Sequence, residues 1–134
     1  MQTVRRTNEN KMLEYPTAKE IIEQETFVNP LCRFERVLAL PDEGYCIFEL
    51  LLRDDEIVLN NIRVGDVHVR NGYGTAGLRW LKSVSERSRS QITGQIAPSG
   101  HQLLNKVLLK KWYEKNDFIV KNGNITYFPE SLYH

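Results

Sequence analysis

A strand-like run, Ile57-Val58-Leu59-Asn60-Asn61-Ile62-Arg63-Val64, is followed eight residues after Val64 by Gly72-Tyr73-Gly74-Thr75-Ala76. A helical pattern then opens at once, with Leu78, Leu81 and Val84 recurring every three residues. Strand, glycine-broken turn and helix together aim backbone N–H groups at an anion. Glycine lets the chain take positive φ and lets a ligand approach the backbone. The first helical turn adds N–H donors without partners and the positive end of the helix dipole. The pattern therefore predicts a phosphate or pyrophosphate ligand, with a plain strand-to-helix turn as the alternative reading of Gly-x-Gly. The dinucleotide fingerprint does not fit, because Gly77 completes the glycine spacing but no Asp or Glu lies about twenty residues beyond it. A Walker loop does not fit either, since no Gly-Lys-Ser/Thr occurs.

With 134 residues, the chain is read as a single domain, 1–134, large enough for one core. A net charge of +1 gives no electrostatic footprint for nucleic acid. Cys32 and Cys46 match no metal or redox spacing, and His68, His101 and His134 are scattered, so no metal site is expected. No apolar stretch of membrane length or signal peptide is seen, and free thiols suit a cytoplasmic setting.

The first fifteen residues are polar, and mobility is expected at the start. Thr17-Ala18-Lys19-Glu20 is a capping box ahead of a short helix carrying Ile21 and Ile22. Three strands follow, over 33–40, 45–52 and 57–64, joined by the turns Pro41-Asp42-Glu43-Gly44 and Arg53-Asp54-Asp55-Glu56, and they predict an antiparallel meander. A helix over about 75–87 leads to a strand over 91–97, placed parallel to the one ending at Val64. Ser99-Gly100-His101-Gln102 reads as a second capping box, opening a helix with Leu104, Val107 and Leu108 as its buried stripe. Two last strands flank Asn122-Gly123, a hairpin signal. The expected fold class is α/β, a mixed and mostly antiparallel sheet with a central parallel βαβ step.

In this order the pieces resemble the GNAT superfamily of N-acetyltransferases over residues 45–128. Ile62-Arg63-Val64 with Gly72-Tyr73-Gly74-Thr75-Ala76 is similar to the family's acetyl-coenzyme A motif. Gln95-Ile96-Ala97-Pro98 falls where the next strand ends, and Trp112-Tyr113-Glu114-Lys115-Asn116-Asp117-Phe118 resembles the common Leu-Tyr-Glu-Lys-x-Gly-Phe. The basic position of the motif falls on Val69 with Arg70 beside it, Asp117 stands where glycine is usual, and the N-terminal segment is short.

The resemblance implies a GNAT-like fold, acetyl-coenzyme A as co-substrate, and an amine acceptor that is a small molecule or a protein. Many relatives dimerise, which makes a homodimer an expectation. The implied cofactor site comprises backbone of Ile62 and Val64 and the loop Val69, Arg70, Asn71, Gly72, Tyr73, Gly74 and Thr75. Tyr113 is the implied general acid for the departing thiolate, against an ordinary packed tyrosine at a helix end. Glu56 is taken as the base, with Glu49 and His68 as further candidates, because Asn60 and Asn61 stand where relatives often carry an acid. The alternative is a degenerate module that binds coenzyme A or a protein partner without turnover.

Overall fold

The computed structural model describes residues 4–8, 11–64, 72–96 and 105–133. In chain order the elements are β1 (Val4–Asn8), β2 (Lys11–Glu14), α1 (Ala18–Glu25), β3 (Phe27–Asn29), β4 (Cys32–Ala39), β5 (Tyr45–Arg53), β6 (Glu56–Val64), α2 (Tyr73–Ser88), β7 (Gln91–Gln95), α3 (Asn105–Lys115), β8 (Ile119–Lys121) and β9 (Asn124–Tyr127). A 3-10 turn at Glu130–Tyr133 follows. Seven strands form one sheet in the order β3-β4-β5-β6-β7-β9-β8, in which β6 and β7 are the parallel pair. This is the α/β architecture expected from the sequence.

No strand was expected in the N-terminal segment. Val4–Asn8 and Lys11–Glu14 pair antiparallel as a separate two-stranded sheet. The three-residue edge strand β3 was likewise not expected; Asn29 Oδ1 accepts from the Leu31 N–H and turns it into β4.

Local chemistry accounts for the other boundaries. Thr17 caps α1 with its hydroxyl on the Glu20 N–H, and Glu20 returns a bond to the Thr17 N–H at 2.9 Å. The β4–β5 turn holds Asp42 at φ 59° and Glu43 at φ 62°, the left-handed pair of a type I′ hairpin, without glycine at either place. Asn122-Gly123 forms the expected hairpin at φ 53° and 77°.

The core lies on one face of the sheet. Cys46 and Phe48 of β5 meet Leu78, Leu81 and Val84 of α2, Ile21 and Ile22 of α1, and Tyr113 of α3 in a single cluster. Gly77 lets α2 ride close, since a methyl there would lie 2.5 Å from Cys46 Sγ. The face assigned to α3 was wrong. Val107 and Leu108 are 62% and 58% exposed, whereas Tyr113 and Asn116 are buried and Leu109 and Trp112 half-buried. Leu104 and the Ser99–Gln102 capping box lie outside the described residues.

The C-terminal segment is tied down by one carboxylate. Glu86 accepts from Tyr127 Oη at 2.6 Å and from the N–H groups of Glu130 and Ser131 at 2.9 and 3.0 Å. Burial works to raise its pKa, and the bonds from Tyr127, Ser131 and Glu130 outweigh burial and leave it below the usual carboxylate value. A depressed folded pKa gives stability that is present above the unfolded value and lost as pH falls through the folded one. Glu86→Gln should therefore lower stability at pH 7, by on the order of 1 kcal/mol given the solvent that reaches the group. Its deficit against the unaltered protein in urea unfolding should shrink below about pH 4. A deficit that stays constant down to pH 3 would rule out the ionised carboxylate as its source.

Candidate functional site

β6 and β7 pair from Glu56–Gln91 to Leu59–Gly94 and then part. β6 continues to Val64 against β5 alone, while β7 turns with β9, the Ile96 N–H reaching the Gly123 carbonyl at 2.8 Å. Two local features set the parting point. The β5–β6 register passes from Leu50–Leu59 to Glu49–Asn61, which leaves Asn60 as a bulged residue without a partner. Gly94 closes the last rung, where an added methyl would lie 2.6 Å from the Leu59 carbonyl oxygen. Val58, Leu59 and Asn60 on one side and Thr93, Gly94 and Gln95 on the other line a cleft of about 510 Å³ at this point.

The bulge also keeps the core continuous. Before it, Ile57 and Leu59 face the helices; after it, Ile62 and Val64 do, opposite Phe48 and Cys46. Ile62 and Val64 lie on the part of β6 that has no β7 partner, so among the described residues that edge of its backbone makes no ladder hydrogen bonds.

Gly72 is the N-cap of α2 at φ 74°, ψ 14°, and no side chain caps the helix. The N–H groups of Tyr73, Gly74 and Thr75 thus belong to an uncapped first turn. Tyr73 contributes backbone only: its ring packs where a methyl on Gly44 would sit, and its hydroxyl donates to the Pro41 carbonyl at 3.1 Å. Trp112 of α3 donates from Nε1 to Thr75 Oγ1 at 2.9 Å, and its ring lies 3.3 Å from where a methyl on Gly74 would be. Val69, Arg70, Asn71 and His68 lie outside the described residues.

Tyr113 follows Trp112 and points into the core. The end of α3 explains the Tyr113-to-Phe118 spacing. The Phe118 N–H bonds the Tyr113 carbonyl at 3.0 Å, the Asp117 N–H bonds the Glu114 carbonyl at 3.1 Å, and Asp117 is left-handed at φ 73°. This is a Schellman cap, with its customary apolar contact made by the two rings at 5.5 Å. Asp117 occupies the glycine position of that motif and pairs with Lys82 at 2.9 Å. Burial, then the nearby Cys46, push the Tyr113 phenol up to about 12. Burial alone pushes the Cys46 thiol to about 12 as well.

Glu56 lines the same cleft as Asn60 and Gly94 but is not brought to Tyr113. It starts β6, on the face away from the helices, and accepts from Thr93 Oγ1 at 3.1 Å and Gln91 Nε2 at 3.4 Å, with Arg53 at 3.5 Å. Cys46, beside Tyr113, is aligned with Val64 at the other end of the strand. That strand spans roughly 26 Å between Glu56 and Val64. Gly94, the Asn60 bulge and the Trp112–Thr75 bond were missed in the sequence. A lone glycine inside a strand was the available signal for the first, and the shift of apolar residues from 57 and 59 to 62 and 64 for the second.

No family model and no curated protein matches the sequence. Several solved structures are similar in fold, two of them as follows. The ribosomal-protein-S18-alanine N-acetyltransferase from Escherichia coli aligns over 94% of this chain and 91% of its own, with a TM-score of 0.50 and 18% identity. The anti-CRISPR protein AcrVA5 aligns over 69% of this chain and 97% of its own, with a TM-score of 0.52 and 19% identity. The chain has a GNAT-like fold.

Proposed function

We propose that this protein transfers an acetyl group from acetyl-coenzyme A to a primary amine. The observation that carries the reading is the parting of β6 from β7 beyond Leu59 and Gly94, with an uncapped glycine-started helix beside it. Residues at the site fit coenzyme A. The first-turn N–H groups of α2 suit its pyrophosphate, with Thr75 Oγ1 held beside them by Trp112. The free edge of β6 at Ile62 and Val64 suits the pantetheine amides, and the loop Val69–Asn71 is assigned to the same grip from its sequence. Acetyl-coenzyme A supplies an activated thioester when bound. Backbone N–H groups of β6 polarise its carbonyl, and Tyr113 Oη gives its proton to the departing sulfur. The two free thiols go with a reducing, cytoplasmic setting.

A specific observation favours the second reading, a coenzyme A-binding module without turnover. Asn60 and Asn61 are exposed on β6 at the parting, and neither amide can accept the acceptor's proton. Titration calorimetry with coenzyme A, followed by amine-dependent thiol release from acetyl-coenzyme A, separates the two. Acetyl transfer is expected. Binding without release across a broad amine panel would favour the module, and no binding would sink both.

A further inference from the structure

We propose that Glu49 is the carboxylate that receives the acceptor's ammonium group and takes its proton, on the sheet face opposite the helices. This rests on the acetyl-transfer reading above.

Side chains alternate along β5. Cys46 and Phe48 point into the helical core, so Glu49 points to the other face. Glu49 is the Cα partner of Asn61, the first paired residue after the bulge and beyond the last β6–β7 rung. It therefore stands one strand removed from the gap, behind Asn61, on the face that an acyl group held on the β6 edge would meet.

The carboxylates of this face differ in what they hold. Glu56 is engaged by Thr93, Gln91 and Arg53. Glu35, buried at 8% exposure, accepts from Asn29 Nδ2 at 2.8 Å and from the Arg63 guanidinium at 2.9 Å. Glu49 is half-buried and, among the described residues, makes no hydrogen bond or ion pair. Glu35 lies directly across from it on β4, which places the two side chains about 5 Å apart at Cβ. Arg63 on β6 neutralises Glu35. Glu49 makes no ion pair among the described residues, and a carboxylate here matches a monocationic primary ammonium and disfavours an anionic acceptor.

The step is a proton transfer that frees a nucleophile. One N–H bond of the ammonium breaks and an O–H bond forms on Glu49, directly or through one water. The nitrogen lone pair then forms the C–N bond to the acetyl carbon as the C–S bond breaks, with its electron pair leaving on sulfur. Tyr113 Oη protonates that sulfur and is restored by the second proton lost from nitrogen. Glu49 returns its own proton to solvent.

The test uses Glu49→Gln and Glu56→Gln with acetyl-coenzyme A and three acceptors: spermidine, an Nα-acetyl-lysine amide and an alanine-leading pentapeptide. At pH 7, Glu49→Gln should lower kcat/KM at least ~100-fold on the acceptor that reacts, in the range of a lost general base. The gap should narrow about tenfold per pH unit as the amine becomes neutral by itself. Coenzyme A affinity should stay within about twofold, and the urea midpoint unchanged, which separates the effect from misfolding. Glu56→Gln should lose less than Glu49→Gln. Activity of Glu49→Gln within about threefold of the unaltered protein, a loss that does not change with pH, or a larger loss in Glu56→Gln overturns the assignment while leaving acetyl transfer standing. A protein that binds coenzyme A but acetylates none of the three overturns the proton-accepting role. A protein that binds no coenzyme A overturns the acetyl-transfer reading and this proposal together.

Discussion

Tyr113→Phe is expected to lower kcat by ~10²–10⁴-fold while leaving coenzyme A affinity nearly unchanged. The ring keeps its contacts with Trp112 at 4.9 Å and Phe118 at 5.5 Å, so its packing survives the change. The hydroxyl is buried and has no hydrogen-bond partner among the described residues, so removing it should leave stability level or raise it by about 1 kcal/mol. A general acid must be protonated to act, and a phenol pushed up to about 12 keeps its proton throughout the working range. Loss of that proton should therefore produce no alkaline fall in kcat up to about pH 10. Single-turnover rates on both proteins are the measurement. A Phe variant with full rate would return Tyr113 to the role of a packing residue.

The second large effect is expected at the α2 turn. Gly72→Val places a β-branched residue at φ 74°, a conformation that costs an ordinary residue roughly 1–2 kcal/mol and a branched one more. Gly74→Val pushes against the Trp112 ring and so against the bond that holds Thr75. Each should weaken coenzyme A binding by tenfold or more, because the donors in question are backbone groups that no side chain can replace. Val69→Ala should change affinity by less than about threefold, since neither side chain offers a donor or a charge. Calorimetry giving one affinity for all three variants would show that the turn does not hold the anion. Loss of folding is excluded by comparing urea midpoints, as Gly72 has open space around its Cα.

Where the sequence spoke clearly, a local rule was at work. The Thr17–Glu20 box, the Asn122-Gly123 hairpin and the glycine start of α2 are each decided within a few residues, and each lies where its pattern put it. β6 was legible as a strand, yet the rung at which it leaves β7 was not, because Gly94 acts through a carbonyl of a neighbouring strand. α3 shows the limit most plainly. Its sequence carries two apolar stripes, and periodicity cannot choose between Val107-Leu108 and Leu109-Trp112-Tyr113. The bond from Trp112 to Thr75 and the ring contact from Tyr113 to Phe118 make the choice, and both depend on distant or later residues. The type I′ turn at Asp42-Glu43 was foreseeable as a turn, though not as one with positive φ at two non-glycine residues. Tyr73 crosses from α2 to hold it. β3 offered three residues before Pro30, too few for alternation to register.

Trp112 and Tyr113 are consecutive on a helix, and so about 100° apart around its axis. One reaches the turn proposed to grip the pyrophosphate, and the other is the acid proposed for the departing sulfur. A single helix thereby bears on both ends of the proposed substrate. The Schellman cap fixes the trailing end of that rod to the sheet through Phe118 and β8, so a change that loosened Phe118 would disturb the α2 turn and the proposed acid together.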